Sequence, residues 1–234
     1  MVPPRPSRQT VTLCSRLSSL HENLATSVVG ARFSASQSLR QAANGAPMNA
    51  LENWFCSTSF WRWITRNQLL PFVLGRADLG DHLLEIGAGP GAATAELRRR
   101  VPRVTSLEYD HAFAARLAQK IGKGAGVVQG DAAALPFPDR TFSSAVAILM
   151  LHHLRSSALQ DRAFAEVHRV LQPRGSFLAF EIPDGWFNRV IHTNSTFVPV
   201  QPAALAARLT ASGFAGVTLD QRPGGFRFCA SRKL

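Results

Sequence analysis

The sequence predicts an α/β domain: a doubly wound, mostly parallel sheet of seven strands, preceded by an N-terminal helical segment. Three observations predict it. Short apolar runs alternate with helix-periodic stretches from His82 to Ser212. The first run leads into the glycine turn Gly87-Ala88-Gly89-Pro90-Gly91, and the next two end beside carboxylates, Glu108 and Asp131. Such alternation implies right-handed crossovers and places ligands at the carboxyl edge of the sheet.

A chain of 234 residues suits one such domain plus a leftover segment. With 46% hydrophobic and 18% charged residues and a mean hydropathy of zero, it reads as neither a disordered polyelectrolyte nor a membrane-embedded body. The longest uncharged apolar run, Thr141 to Leu151, falls short of the roughly 18 residues a spanning helix needs, so no integral membrane association is expected. Cys14, Cys56 and Cys229 form no CxxC pair, which argues against a disulfide framework or a zinc ribbon. A reducing, cytoplasmic setting fits, and no metal is expected. The net charge of +11 favours anionic partners, yet Arg98 to Arg100 is the only tight basic cluster. A bias in composition accounts for that spread better than a nucleic-acid stripe does.

Residues 1–47 are rich in Ser, Ala, Pro and Arg, with Glu22 as their single acid. They read as a disordered tail, a leader or an over-extended start, with organelle import as the alternative to the cytoplasm. The folded domain is expected over 48–234. Between Asn49 and Gly75, Leu51, Trp54, Phe55, Phe60, Trp61, Trp63, Ile64, Leu69 and Leu70 suggest two short helices, with Pro71 breaking the pattern or starting a new turn. Their aromatics are expected as core packed on a sheet edge, the competing reading being a lid over a ligand pocket.

Strand one runs from Leu83 to Ile86 into the glycine turn, then a helix to Arg100. Strand two, Val104 to Leu107, ends at Glu108. A helix from His111 to Ile121 and strand three, Gly126 to Gln129, lead to Asp131. The pattern continues with strand four at Ser144 to Met150, a helix at Ala158 to Leu171, strand five at Ser176 to Ile182 and a helix near Pro202 to Ser212. Two closing strands, Gly216 to Asp220 and Phe226 to Ala230, should form an antiparallel edge hairpin.

Chemistry concentrates at the first three strand ends. Glycines lacking a Cβ permit a tight turn and let a ligand approach the backbone, while free N–H groups at the helix start favour electron-rich atoms. By itself the run also comes close to the dinucleotide fingerprint GxGxxG/A, so two cofactor families compete. Glu108 lies 21 positions beyond Gly87, the interval at which an acid reaches ribose hydroxyls in either family. Asp131 after strand three can accept from an adenine amino group, with the Ala132 N–H available to a ring nitrogen. Either acid alone reads as a helix cap or solvated loop residue; with the glycine turn they outline an adenosine site.

The blocks EIGAGPG (85–91), SLEYD (106–110), GDAAALPFPDRTF (130–142), LHHL (151–154) and EVHRVLQPRG (166–175) occur in order. Over roughly residues 49 to 234 the chain resembles the class I S-adenosylmethionine-dependent methyltransferases, and in particular the small-molecule subgroup of ubiquinone and menaquinone biosynthesis. The resemblance implies a Rossmann-like methyltransferase fold, S-adenosylmethionine as methyl-donating co-substrate and a small-molecule acceptor. It also implies that Gly87, Ala88, Gly89 and Gly91 form the turn against the methionine moiety, with Glu85 nearby to orient its amino group. Glu108 would bind the ribose, Tyr109 would lie against the adenine, Asp131 and Ala132 would read the adenine edge, and Ile148 would sit beside the cofactor. Three places depart from the family pattern: Ser143 stands where Asp is usual, Arg174-Gly175 where two glycines are usual, and Ile148 where a polar residue is usual, which leaves that cofactor contact to the backbone.

Because a sulfonium is already a potent methyl donor, no obligatory catalytic group is assigned; holding the acceptor in line supplies the rate. His152 and His153 follow strand four and are substrate-side candidates, with a general-base role for His153 as the minority reading. The long connection from Pro183 to Pro199, with Asp184, Trp186, Phe187, His192 and Asn194, is expected to cover the acceptor, and its Trp and Phe lean toward an apolar or aromatic compound. Two alternatives stand beside this reading. An RNA adenine N-methyltransferase would clamp a flipped base after strand four, where this chain has Ile148-Leu149-Met150-Leu151, so nucleic acid is disfavoured as a partner. A noncatalytic cofactor-binding protein would keep the adenosine residues and lose the acceptor pocket.

Overall fold

A computed structural model describes residues 49–122 and 126–234. The expectation for residues 1–47 lies outside the described residues. Asn49 starts the first helix among the described residues, α1 (Ala50–Ser57), with a reciprocal capping box: its side chain accepts from the Glu52 amide at 2.9 Å, and the Glu52 carboxylate accepts from the Asn49 amide at 2.8 Å. Thr58 then caps α2 (Ser59–Ile64) by accepting from the Trp61 amide. A π-helical stretch, Thr65–Leu69, carries the chain into α3 (Leu70–Leu74), and Pro71, which has no N–H to donate, sits at that junction.

The aromatic residues of this segment are not the core that the sequence suggested. Trp54 is 66% exposed, Phe60 62% and Trp63 54%, while Leu69, Leu70, Val73 and Leu74 are buried. The physical reason is geometric. Helices this short and apolar on every side can bury only one stripe, and the aliphatic residues of α3 take the sheet.

The sheet contains β1 (His82–Ile86), β2 (Arg103–Glu108), β3 (Gly126–Gln129), β4 (Phe142–Ile148), β5 (Leu171–Glu181), β6 (Phe214–Arg222) and β7 (Gly225–Arg232). Their order is β3-β2-β1-β4-β5-β7-β6. The first five run parallel, and β7 lies antiparallel between β5 and β6. Five further helices connect them: α4 (Thr94–Arg100), α5 (His111–Ile121), α6 (Ser157–Val170), α7 (Trp186–Ile191) and α8 (Pro202–Ala211).

Alternation along β1 decides which side each residue faces. Leu83 joins Leu70, Val73, Leu97, Val146 and Leu178 on the face covered by α3 and α4. Leu84 and Ile86 join Phe164, Val167, Phe177, Leu205 and Leu209 on the face covered by α6 and α8. With both faces covered, the doubly wound prediction holds. The strand order reverses between β1 and β4, which opens a crevice outside their carboxyl ends.

Several boundaries differ from those expected. β5 begins at Leu171, not Ser176, because Leu171 pairs with Phe142 before the register shifts and Ser176 pairs with Ser144. Within that irregularity Arg174 takes φ +65°, the left-handed conformation a glycine would hold there, so the turn keeps its shape without the second glycine. Ser143 also fills its role locally. Its hydroxyl accepts from the His82 amide at 3.0 Å and lies 2.8 Å from the Leu79 carbonyl, tying β4 to the entry of β1. β4 stops at Ile148 rather than Met150, since Leu149 turns to φ +54°.

Candidate active site

The glycine turn leaves β1 with three left-handed residues, Gly87 (φ +74°), Gly89 (φ +53°) and Gly91 (φ +79°). A Cβ on Gly87 would stand 2.2 Å from the Met150 side chain, and one on Gly91 would stand 2.4 Å from Leu117. These two glycines let the loop pack against the tip of β4 and against α5. A Cβ on Gly89 would meet nothing within 4 Å. That glycine therefore faces open space, on the side from which a ligand can approach the backbone. The helix begins later than expected, at Thr94, after a turn over residues 89–93.

Glu108 closes the loop from the neighbouring strand. Its carboxylate accepts from the Gly89 amide at 2.7 Å and from the Asp110 amide at 2.9 Å. Burial raises its pKa above the usual carboxylate range, while these amide hydrogen bonds oppose the rise. Asp131 follows directly, because the Gly130 amide donates to the Glu108 carbonyl at 2.9 Å and the Asp131 side chain accepts from the Ala133 amide at 2.8 Å. Tyr109 lies between the two. Its phenol pKa is raised by burial and then by the Asp131 charge. The structure thus brings Gly89, Glu108, Tyr109, Asp131 and Ala132 to one edge of the sheet.

Glu85 sits beneath the loop. One of its carboxylate oxygens accepts from Thr94 Oγ1 at 2.7 Å and from Ser106 Oγ at 2.6 Å. Complete burial pushes its pKa up from 4.5 to about 6. The folded state therefore holds this proton more tightly than the unfolded chain does. Its contribution to stability is full below pH 4.5 and is lost as pH rises through about 6, at a cost of about 2 kcal/mol. Glu85→Gln keeps an oxygen for both hydroxyls and removes the ionisation. It should raise the melting temperature at pH 8 and flatten the wild-type decline across that window; an unchanged pH profile would refute the assignment.

Beyond Ile148, which is half-buried beside this crevice, the chain turns through a 3₁₀ segment, Leu151–His153. The wholly buried Glu181, at the end of β5, holds that turn. One carboxylate oxygen accepts from the Met150 amide at 3.1 Å and the Leu151 amide at 2.7 Å; the other accepts from His152 Nδ1 at 2.5 Å. His153 packs against His152, ring centroids 4.3 Å apart. Burial and the neighbouring imidazoles His152 and His192 lower the His153 pKa to about 3. A base that weak at neutral pH does not suit proton abstraction, which counts against the general-base reading.

The connection after β5 folds back onto this turn. The Val198 amide donates to the His152 carbonyl at 2.8 Å, and Gln160 donates to the carbonyls of Leu151 and Val198. His192 and Phe197 thereby meet His152, with ring centroids 5.0 and 5.5 Å away. From α1, Asn49 donates to the Ile191 and Thr193 carbonyls, and Glu52 accepts from Ser195 Oγ at 2.6 Å. Glu181 and Glu52 were not singled out from the sequence. A carboxylate ending the strand beside β4 was the available signal for Glu181; for Glu52 the local signal was its place three residues after Asn49, which marks a helix start but not its bond to Ser195, 143 residues away. A shallow depression of about 210 Å3, lined by Asp78, Gly80, Ser143 and Arg174, lies at the opposite, amino-terminal edge of the sheet.

Residues 84–179 match a family model described as a methyltransferase domain. The demethylmenaquinone methyltransferase of Thermobifida fusca is 32% identical over 127 residues, covering 53% of this chain and 47% of the relative. That of Thermus thermophilus is 30% identical over 127 residues, 52% of this chain and 54% of the relative. A probable ribosomal RNA small subunit methyltransferase A of Haloarcula marismortui is 43% identical over 68 residues, 27% of this chain and 24% of that protein. The chain thus spans about half the length of the curated demethylmenaquinone relatives it matches. Among solved structures, a Pyrococcus horikoshii protein shares the fold with a TM-score of 0.65 at 15% identity, over 76% of this chain and 94% of that one. The phosphoethanolamine N-methyltransferase 2 of Haemonchus contortus, solved with S-adenosylhomocysteine, shares it with a TM-score of 0.60 at 12% identity, over 74% and 53%. Sheet order, glycine turn, strand-tip carboxylates and the family match agree: residues 84–179 carry a methyltransferase domain, on a fold shared with solved S-adenosylmethionine-dependent methyltransferases.

Proposed function

We propose that the protein transfers a methyl group from S-adenosylmethionine to a small, apolar or aromatic acceptor. The observation that carries this reading is the convergence of Gly89, Glu108 and Asp131 on one sheet edge, with open space over Gly89. These residues fit an adenosine-bearing ligand. Each carboxylate oxygen has a second lone pair, so Glu108 can take two ribose hydroxyls while keeping its amide partners. Asp131 and the Ala132 amide suit an adenine edge, and Tyr109 offers a flat surface beside them. Glu85, Gly87, Ala88 and Gly91 shape and support the turn that would face the methionine end, and Ile148 walls it from β4.

When bound, S-adenosylmethionine supplies an electrophilic methyl group on a sulfonium. This chain's own work is to hold the acceptor in line and keep water out, and a well-oriented pair gains about 7–11 kcal/mol from proximity. The covering segment after β5 supports an apolar acceptor: Trp186 is 77% exposed and Phe187 60%. His152 and His153 would line the acceptor side, with His153 too weak a base to take a proton there.

The RNA adenine reading keeps one support, the Haloarcula relative. Against it, the tip of β4 presents only aliphatic residues, with Met150 packed on Gly87. Calorimetric titration with S-adenosylmethionine, S-adenosylhomocysteine and NAD tests the site. The first two should bind and NAD should not; binding of NAD alone would overturn the proposal. Screening labelled methyl transfer into a metabolite extract and into total RNA then decides the acceptor, and label confined to RNA would overturn the small-molecule assignment.

A further inference from the structure

The three imidazoles beside the β4 turn form a cluster to which the methyl-transfer reading assigns no chemistry. His152 and His153 come from the 3₁₀ segment, and His192 comes from the end of α7. One ring nitrogen from each lies within 4.8 Å of the others. His152 and His192 are buried.

Each ring spends its proton outward. His152 Nδ1 donates to Glu181 at 2.5 Å, His192 Nδ1 donates to the Asn188 carbonyl at 2.6 Å, and His153 bonds the Thr196 backbone. An imidazole that donates through one nitrogen and stays neutral carries a lone pair on the other. The same outward bonding, to a carboxylate or backbone carbonyl, fixes ligand tautomers in metal centres. Glu52 adds a fourth feature: its Oε1 lies 3.4 Å from His192 Nε2. That is about the separation of two ligands on one tetrahedral ion with bonds of roughly 2.0–2.1 Å. Phe197 covers the His192 ring, stacked at 4.5 Å, and closes one side against water.

We propose that His152, His153 and His192 bind one divalent first-row transition-metal ion, zinc by preference, with the Glu52 carboxylate beside it balancing charge. Three neutral imidazoles and an adjacent carboxylate suit zinc, and three protein ligands leave a position for a small oxygen ligand. The 4.8 Å span contracts on binding through rotation of His153 and His192 while Glu181 holds His152 in place. The ion would join α1, the β4 turn and the α7–α8 connection, three segments far apart in sequence. If the methyl-transfer reading also holds, the open position faces the acceptor side and favours an acceptor with an ionisable oxygen, but the site itself does not depend on that reading.

The test uses the full, untagged chain stripped with a chelator. Titration with Co2+ should give the intense visible absorption of a four- or five-coordinate ion, saturating at one equivalent per chain and bleached by one equivalent of Zn2+. His153→Ala and His192→Ala should each weaken binding by at least about 100-fold, whereas Cys56→Ser and His111→Ala, elsewhere in the fold, should leave it unchanged. Circular dichroism checks that the variants fold; should they not, the wild-type spectrum and stoichiometry still decide. A wild-type spectrum that stays that of the six-coordinate aqueous ion overturns the proposal, and so does a bound spectrum that persists in both folded histidine variants. Titration of the same samples with S-adenosylmethionine reads the cofactor site separately.

Discussion

Replacing Glu181 by Ala is expected to lower the free energy of unfolding by about 3–5 kcal/mol, a large share of what holds a domain of this size together. The carboxylate is wholly buried and accepts from the Met150 amide, the Leu151 amide and His152 Nδ1. Removing it orphans three donors at once, each worth about 1–3 kcal/mol when left buried without a partner. The neighbouring Leu149 already sits at φ +54°, so the turn cannot relax without moving the tip of β4. Glu181→Gln should fall between, because its carbonyl can serve the two amides while its NH2 opposes the His152 N–H. Urea denaturation of the three proteins measures this. A loss under about 1 kcal/mol for Glu181→Ala would show that the network is not what holds the turn.

Glu108→Ala should weaken S-adenosylmethionine and S-adenosylhomocysteine binding by about 100-fold or more. Two hydrogen bonds to a charged acceptor are lost, each worth about 1.5–3 kcal/mol, and a factor of 100 corresponds to about 2.7 kcal/mol. The Gly89 amide, held at 2.7 Å by this carboxylate, is freed as well, so the loop loses part of its preset shape. Stability should suffer less than in Glu181→Ala, since Glu108 keeps 8% of its surface exposed while Glu181 keeps none. Calorimetry and thermal melting separate the two effects. An affinity within about threefold of wild type would remove Glu108 from the ribose role.

How much of this was legible in the sequence depends on how far each signal reaches along the chain. Local patterns carried α5 at His111–Ile121 and β3 at Gly126–Gln129, both found where periodicity put them. The strand-tip acids were legible for the same reason: a carboxylate ending a parallel strand lies at the carboxyl edge whatever the packing is. Burial of the α1–α2 aromatics was not legible, because apolar character says that a side chain can be buried, and competition with Leu70, Val73 and Leu74 for the sheet decides whether it is. The start of β5 was hidden by Arg174, whose side chain gives no warning of a left-handed backbone. Long-range polar partners were hidden most deeply. Glu181 and His152 are 29 positions apart, and Glu52 reaches Ser195 across 143.

The position of β7 between β5 and β6 sets a condition on assembly during synthesis. β6 is made first but has no neighbour in the sheet until β7 arrives to bridge it to β5. Until then the apolar stretch Phe177 to Phe180 presents bare main-chain hydrogen-bonding groups along one side, the kind of edge that recruits another nascent chain. Yield on overexpression should therefore be governed less by the stability of the finished molecule than by how long that unfinished margin waits.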